Sequence, residues 1–192
     1  MASSKRTARP DKDAFDRVIE EWRRERPDLD VSPIGIVGRL HVAGRRTERF
    51  YEESVAPFGL RPADFFLLSE LRRSGPPYVL SPSDLSDLLV RSSGGITRQL
   101  DQLERSGWIR REPDPHDRRG VRVVLTDAGL ELIDEALSAH FENEAQLLAP
   151  LSAAERDRIA GLLRELLGLL PRERGAGPPR LRSRSRARPR PG

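Results

Sequence analysis

Apolar residues recur every three or four positions over most of the chain, and short breaks containing proline or glycine divide them into separate segments. The first segment covers residues 12–25 and predicts a helix that Pro27 ends. The second begins at Ser32 and Pro33, a capping residue followed by the proline that favours the first helical position, and continues to about Val55. Both segments therefore predict amphipathic helices.

Two further helices follow before the pattern changes. One begins after Pro62 and is broken by the sequence SGPPY at residues 74–78. The next is short: it opens at Ser81 and ends near Val90. Asp84 lies in its first turn, where a carboxylate interacts favourably with the helix dipole.

A turn at residues 91–92 leads to a fifth helix, which ends at Gly107. Two strands are predicted next, over 108–112 and 121–125, and the second alternates apolar and polar residues with the period of a strand. The polar segment between them, which contains DPHDRRG at residues 114–120, holds more charge than a tight turn needs. The apolar face of the fifth helix consists of Ile96, Leu100 and Leu103.

Two long helices complete the chain. Thr126 caps the first, and Ser152 with Glu155 forms a capping box that opens the second, which ends at Pro171. The order of elements predicts a mainly α fold with a small β-wing. A short helix, a turn, a second helix and a hairpin together indicate a winged helix-turn-helix lobe.

The first half of the fifth helix carries hydroxyl, amide and guanidinium groups, which donate hydrogen bonds to phosphates and base edges in the major groove. Arg98 is the candidate for pairing with guanine. Gly94 and Gly95 each cost about 1 kcal/mol relative to alanine in a helix, and they allow close approach to DNA. A poorly formed cap or a tight helix crossing is the alternative for the glycines, and simple capping is the alternative for the hydroxyls. The candidate DNA-binding residues of this helix are Ser92, Ser93, Gly94, Gly95, Thr97, Arg98 and Gln99.

The net charge of +4 is unevenly distributed. Residues 172–192 hold eight arginines and one glutamate, and residues 1–10 hold three basic side chains and no acid, so the middle of the chain is mildly acidic. Basic groups in the middle must therefore be locally clustered if it binds nucleic acid. Both ends are expected to be disordered. The arginine-rich tail either attracts DNA independently of its sequence or is a solvated segment without a role.

Several classes of function are excluded or unsupported. Cysteine is absent, which excludes disulfides, thiol catalysis and cysteine zinc sites. Three scattered histidines predict no metal site, and no motif pairs a nucleophile with a base, so neither an enzyme nor a cofactor is predicted. No apolar run approaches the roughly 18 residues of a membrane span. The basic start lacks the apolar segment of a secretory signal, so the expected compartment is the cytoplasm.

The stretch over 85–135 closely resembles the MarR (multiple antibiotic resistance regulator) family. The shared order is a helix-turn-helix, then D-x-L-E-x-x-G and a strand, then D-x-R at a wing tip, then L-T opening a long helix. The remaining helices from 12 to 170 also fit the family layout. The matching residues are Asp101, Leu103, Glu104, Gly107, Asp117, Arg118, Arg119, Leu125 and Thr126.

The resemblance implies a family domain over 11–171 that forms a homodimer. Helices at about 12–55 and 127–170 would interdigitate between two copies, with a winged lobe at about 61–125 on each side. The last helix agrees, because leucines surround much of it, although a buried helix in a monomer is the alternative. A two-fold dimer predicts a pseudo-palindromic operator whose half-sites are read in successive major grooves of double-stranded DNA.

The resemblance also assigns roles at the wing. Arg119 would enter the flanking minor groove, where narrow A·T-rich DNA attracts a guanidinium group. Asp117 would hold Arg119 in place, and Arg118 and Arg122 would contact phosphates.

Members of the family usually release DNA when a small, often anionic aromatic ligand binds between the dimer helices and the winged lobe. The added first helix is similar to a subgroup that includes urate-responsive repressors. In that subgroup a first-helix tryptophan, an acid before the Pro-Pro break and a recognition-helix arginine link the ligand to DNA release. Trp22 matches the first of these, whereas Phe66 and Gln99 stand at the other two positions. We therefore expect an effector other than urate.

Asp64 and Arg98 are candidate replacements, although neighbouring helix positions face different directions. His41 is a further candidate, as a pH-sensitive or ligand-contacting residue, and packing or solvent exposure is the alternative for it. A plain core or interface role is the alternative for Trp22. The candidate ligand-binding set is thus Trp22, His41, Asp64, Phe66 and Arg98. The whole pattern predicts a ligand-responsive repressor. The alternatives are a DNA-binding regulator without a ligand, and a protein-interaction module that uses the winged lobe.

Overall fold

The computed structural model describes residues 12–89, 93–115 and 117–171, without the side chains of Ser93, Arg118 and Arg119. The two predicted disordered ends, the predicted turn at 91–92 and residue 90, where the preceding helix was predicted to end, lie outside the described residues. The elements are α1 (Ala14–Glu25), α2 (Ile34–Val55), α3 (Pro62–Arg73), β1 (Val79–Leu80), α4 (Pro82–Leu89), α5 (Ser93–Arg105), β2 (Ile109–Asp114), β3 (Asp117–Leu125), α6 (Asp127–Leu148) and α7 (Ala153–Leu169), with one 3-10 turn at Ala56–Phe58.

The predicted mainly α fold with a small β-wing is confirmed, and two details of the sheet differ from the sequence prediction. The sheet has three strands in the order β1-β3-β2, because Val79 and Leu80 pair with β3. A strand of two residues is too short to show a period. The hairpin is also longer than predicted, since β3 begins at Asp117 within the segment taken as a loop. Both faces of this end are polar, so it shows no alternation.

One apolar core joins α3, α4, α5, the sheet and α6. Leu67, Leu71, Leu85 and Leu103 are fully buried in it. On α6, Ile133 and Ala136 belong to the same core. We call residues 62–125 the winged lobe, and its core is therefore closed over by the first half of α6.

Helix α1 packs on α2 through a charged clamp. The Arg39 guanidinium donates two hydrogen bonds of 2.8 Å to Asp13, the N-cap of α1, and lies 2.9 Å from Asp16. The hydrogen bond from Arg39 lowers the pKa of Asp13 to about 2. Phe15 packs so closely on Gly38 that a Cβ atom there would lie 2.4 Å from the ring. A side chain at position 38 would therefore force the Phe15 ring out of its place against α2.

Helix α7 begins at the predicted capping box, in which Ser152 accepts from the Glu155 backbone and Glu155 accepts from the Ser152 backbone. None of its residues is buried. Leu162, Leu167 and Leu169 expose 57%, 66% and 82% of their surface. The alternative of a helix buried within one chain is therefore wrong, and this apolar surface faces outward. Among the described residues, no helix combines the length and apolar character that crossing a membrane needs.

Candidate nucleic-acid interface

Helix α5 stands on the surface of the winged lobe with one side in the core. Ile96, Leu100 and Leu103 are buried, as their spacing predicted. Each residue advances about 100° around the helix axis. One position further along, Thr97 and Asp101 are exposed and Glu104 is half-buried. Helix α4 and strand β2 both pack against α5. The lobe therefore supports α5 with a second helix and with the wing.

Four of the predicted DNA-binding residues lie on the exposed surface of α5: Gly94, Gly95, Thr97 and Arg98. A Cβ atom at Gly94 would meet nothing within 4 Å, so a tight helix crossing does not explain that glycine. Ser93 is the first residue of α5, but its side chain lies outside the described part, as does the whole of Ser92.

Gln99 is placed differently from the prediction. Its side chain is 5% exposed, and its amide donates a 3.1 Å hydrogen bond to the carboxylate of Asp64 on α3. Asp64 is itself 2% exposed and accepts two hydrogen bonds from Arg61, of 2.7 and 3.0 Å. These bonds raise the pKa of the Arg61 guanidinium. Gln99 therefore faces α3 in this structure, which counts against a base contact by its amide.

The sequence reasoning missed two residues on the exposed side of α5, Gln102 and Arg105. With Arg98 they form one row, since the spacings of four and three residues return to the same side of a helix. Extending the helical period beyond the first two turns would have identified both. We call Arg98, Gln102 and Arg105 the outer row of α5. Its donors are a guanidinium group, an amide and a second guanidinium group.

The wing is the hairpin of β2 and β3, paired from Ile109–Leu125 to Asp114–Asp117. Asp117 is exposed at its tip, next to Arg118 and Arg119, whose backbone belongs to β3 and whose side chains lie outside the described part. A Cβ atom at Gly120 would lie 2.9 Å from the Cβ atom of Asp114. The close approach of the two strands therefore explains the glycine in this charged segment.

Arg122, a predicted phosphate contact, points across the wing. Its Nη2 donates to Glu112 at 3.2 Å, and its Nε is buried without a hydrogen-bond partner in the described structure. Arg110 donates to the other oxygen of Glu112 at 2.7 Å, and this hydrogen bond is the main cause that lowers the pKa of Glu112. Glu112 thus offsets part of the positive charge that was assigned to phosphate binding.

Arg111 connects the wing to α5. Its Nη1 donates to Asp101 at 2.6 Å, and its Nη2 donates to the carbonyl oxygen of Thr97 at 3.3 Å. Its backbone N–H donates to Glu104 at 2.8 Å, and the second oxygen of Glu104 lies 3.4 Å from Nη1. One residue of β2 therefore contacts α5 over two helical turns.

The five candidate ligand-binding residues fall in different places. Trp22 lies on α1, 48% exposed, and His41 is exposed on α2 beside Arg45 and Arg49. Asp64 is paired with Arg61 and Gln99 as described above. Arg98 is exposed on α5, on a shallow concave surface that Arg61, Ala63, Gly95, Gln99 and Gln102 also line. Within one chain, the five residues therefore do not line one common cavity.

Phe66, the fifth of them, belongs to an aromatic cluster where α2, α3 and α6 meet. Tyr51 contacts Phe66 edge to face at 5.2 Å and stacks on His140 at 5.2 Å. His140 is 4% exposed, with Nδ1 3.0 Å from the Ser54 hydroxyl and Nε2 3.1 Å from Glu144. Burial raises the pKa of the Tyr51 phenol. Aromatic packing thus occupies the position at which the resemblance to the urate-responsive subgroup led us to expect an acid. Within the described residues, no group of His, Asp or Glu side chains is arranged to hold a metal ion.

The helix pair, recognition-type helix and wing define the class of protein: a winged helix-turn-helix regulator. A family model described as "MarR family" matches residues 58–120. The chain is 38% identical to the HTH-type transcriptional regulator PecS of Dickeya dadantii (strain 3937) over 76% of this chain and 88% of that protein. It is 28% identical to the multiple antibiotic resistance protein MarR of Escherichia coli (strain K12), over 72% and 93%.

Solved structures agree with these relationships. A mutant MarR from E. coli complexed with operator DNA superposes with a TM-score of 0.62 and 30% identity, over 72% of this chain and 99% of that one. A MarR family regulator from Streptomyces coelicolor, solved in complex with DNA, shares the fold with a TM-score of 0.65 at 23% identity, over 74% and 95%. The chain belongs to the MarR family of winged helix-turn-helix transcriptional regulators.

Proposed function

We propose that the protein is a homodimeric repressor that binds a pseudo-palindromic operator and is released from it by a small molecule. The observation that carries the DNA-binding part is the exposed surface of α5, where guanidinium, amide and hydroxyl groups stand clear of the core. The relatives named above are transcriptional regulators, and the E. coli MarR structure was solved with operator DNA.

The proposal of a homodimer rests on the outer surfaces of α1, α2 and α7. Leucines on α7 stay exposed within one chain, and so do Ile36 and Val37 on α2, at 60% and 61%. Monomeric proteins rarely expose many large apolar side chains together, and such surfaces usually mark an interface. A two-fold pairing that joins α1, α2 and the ends of α6 and α7 would bury these side chains, as the family resemblance implies.

In this dimer each α5 would enter a major groove, with half-sites about one helical turn apart. Arg98 would pair with a guanine, and Gln102 and Arg105 would extend the contact along the groove. Arg119, at the tip of the wing, would reach the flanking minor groove, and Arg118 would contact phosphates. The arginine-rich tail would add attraction that depends on salt and not on sequence.

The effector would bind between the dimer helices and the winged lobe, and an anionic or aromatic compound is the class that the resemblance implies. Phe66 and Gln99 replace the acid and the arginine expected for urate, so we propose a different ligand. Phe66 and Tyr51, which contacts both Phe66 and the buried His140, supply aromatic surface at this junction. A thermal-shift screen with small aromatic and carboxylic acids tests this part separately.

The DNA-binding part is tested by titrating the full chain against the intergenic DNA upstream of its own gene and against random DNA of equal length, at two salt concentrations. We expect tighter binding to the upstream fragment, and a loss of roughly 1–3 kcal/mol for Arg119→Ala if Arg119 reads the minor groove. Equal affinity for both fragments would remove specific regulation. A loss below a few tenths of a kcal/mol would remove the role of Arg119.

A further inference from the structure

The residues of α5 that contact Arg111 all lie on one side of that helix. Thr97, Asp101 and Glu104 are spaced by four and three residues, so they form one row along α5. The outer row of α5, which carries Arg98, is offset from it by one residue, or roughly 100° about the helix axis. Contact between the first row and the wing therefore sets the direction in which the outer row points.

On the wing, Arg111 is held to α5 by both its backbone and its side chain. Arg111 lies on β2, which is an edge strand because the sheet order is β1-β3-β2. Its backbone N–H is bonded to Glu104 while its guanidinium group reaches Asp101, so both its main chain and its side chain are fixed to α5. The neighbouring Arg110 contacts Glu112 within the wing itself, at 2.7 Å. Two adjacent arginines of one strand thus have different partners.

We propose that Arg111 is a positioning residue for DNA recognition, which holds the wing and the outer row of α5 in the one relative orientation that lets both contact the same DNA. This inference rests on the proposed function, and it assigns Arg111 no contact with DNA. Its reason is geometric, since specific binding needs side chains held within about half an ångström of their productive positions. The side chains of Arg111, Asp101 and Glu104 are 26%, 50% and 38% exposed, so the ion pairs contribute little to folding.

The first test compares Arg111→Met with Arg110→Met. Each substitution removes one positive charge from β2, so both cause the same general loss of attraction to phosphates. Arg111→Met also removes the connection to α5. We expect Arg111→Met to lower the ratio of upstream-fragment affinity to random-DNA affinity roughly 10-fold, the scale of one lost bidentate base contact. Arg110→Met should leave that ratio unchanged.

The second test uses a variant for which the positioning role and simple electrostatics predict opposite changes in DNA affinity. The double variant Asp101→Asn, Glu104→Gln removes two acids next to the DNA-binding surface, so electrostatics alone would strengthen DNA binding. Loss of the partners of Arg111 predicts weaker binding to the upstream fragment and unchanged or stronger binding to random DNA. The Arg111→Lys variant, which keeps the charge but not the planar fork, should recover less than half of the lost ratio.

A third test asks whether the contribution of Arg119, at the wing tip, depends on Arg111. If Arg111 aligns the wing, then Arg119→Ala should weaken binding to the upstream fragment less in the Arg111→Met background than in the wild-type chain. Urea unfolding of each variant, with a midpoint close to that of the wild type, ensures that the folded states are compared.

The outcomes are distinguishable. Equal affinity ratios for Arg111→Met and Arg110→Met, or tighter binding of both DNAs by the Asp101→Asn, Glu104→Gln variant, overturns the positioning role and leaves the proposed function standing. A wild-type chain that does not prefer the upstream fragment overturns the proposed function, and the inference with it.

Discussion

The winged lobe buries its apolar residues within one chain, whereas the outer helices α1 and α7 leave most of theirs exposed. In the winged lobe the leucines converge, and Leu67, Leu71, Leu85 and Leu103 have no exposed surface. In α1 only Ile19 is buried, and in α7 no residue is. The lobe therefore completes a core within one chain, whereas the outer helices carry apolar surface that only another surface can cover. This contrast supports the proposal that each winged lobe folds within one chain, whereas α1 and α7 pack against a second chain.

The largest effect should come from a cavity in the lobe. Leu67→Ala removes a fully buried side chain of α3 and should lower the free energy of unfolding by about 2–5 kcal/mol. Leu162→Ala, at a side chain that is 57% exposed in one chain, is the matched control. Urea unfolding at low protein concentration measures both. Equal losses of unfolding free energy in the two variants would mean that α7 belongs to the same core as the winged lobe, and would contradict the comparison made above.

Assembly should fail without damage to the lobe when α7 is made polar. The double variant Leu163→Glu, Leu167→Glu places two carboxylates on the exposed apolar face, where the side chains are 45% and 66% exposed. We expect the dimer to dissociate, because burying unpaired charge at an interface is strongly unfavourable. Light scattering across a concentration series measures the mass. Arg164→Glu changes the net charge by the same amount beside that face, so dissociation by that variant as well would point to charge alone.

A smaller change tests how far α7 depends on its own cap. Ser152→Ala removes the hydroxyl that accepts from the Glu155 backbone and should cost about 1 kcal/mol. The loss should appear in dimer stability and in amide exchange over the first turn of α7. Exchange in α5 should remain at the wild-type level, and faster exchange there would show that the two regions unfold together.

The smallest effect concerns the clamp that holds α1. The pKa of Asp13 falls from 3.8 to about 2 in the folded chain, so its contribution is complete above the ordinary pKa and is lost as the pH falls through about 2. Amide exchange over residues 14–25, corrected for the intrinsic rate, should therefore rise between pH 4.5 and 2. Asp13→Asn should exchange faster already at pH 4.5. Asp28→Asn, which breaks only a local pair with Arg26, should behave as the wild type, and the effect should shrink in high salt.

Much of the fold was predictable because its local signals agree with each other. Capping residues marked the starts of α4, α6 and α7, and the apolar period of α5 identified its buried face. The wing was predicted as a hairpin but too short, since its outer half has no buried face. The strand β1 left no signal at all, because its two residues pair only with a strand more than forty positions further along the chain.

The partners and the exposure of individual site residues could not be predicted from the sequence. Gln99 and Arg98 are neighbours of similar polarity, yet Gln99 is buried against Asp64 while Arg98 is exposed. Arg110, Arg111 and Arg122 are alike in sequence, yet two of them contact Glu112 and the third contacts α5. Such differences depend on which carboxylate another element brings near, and no pattern along the chain contains that information.

The sequence by itself determined the family, the order of the helices and the wing hairpin, the apolar faces of the helices and the excess of apolar surface on α7. These properties follow from period, capping and composition, which are local. Only the tertiary structure decided that Asp64 holds Gln99, that Phe66 joins an aromatic cluster with His140, and that Arg111 connects the wing to the recognition helix. Each of these depends on residues distant in sequence meeting within hydrogen-bond or packing distance, which folding alone brings about.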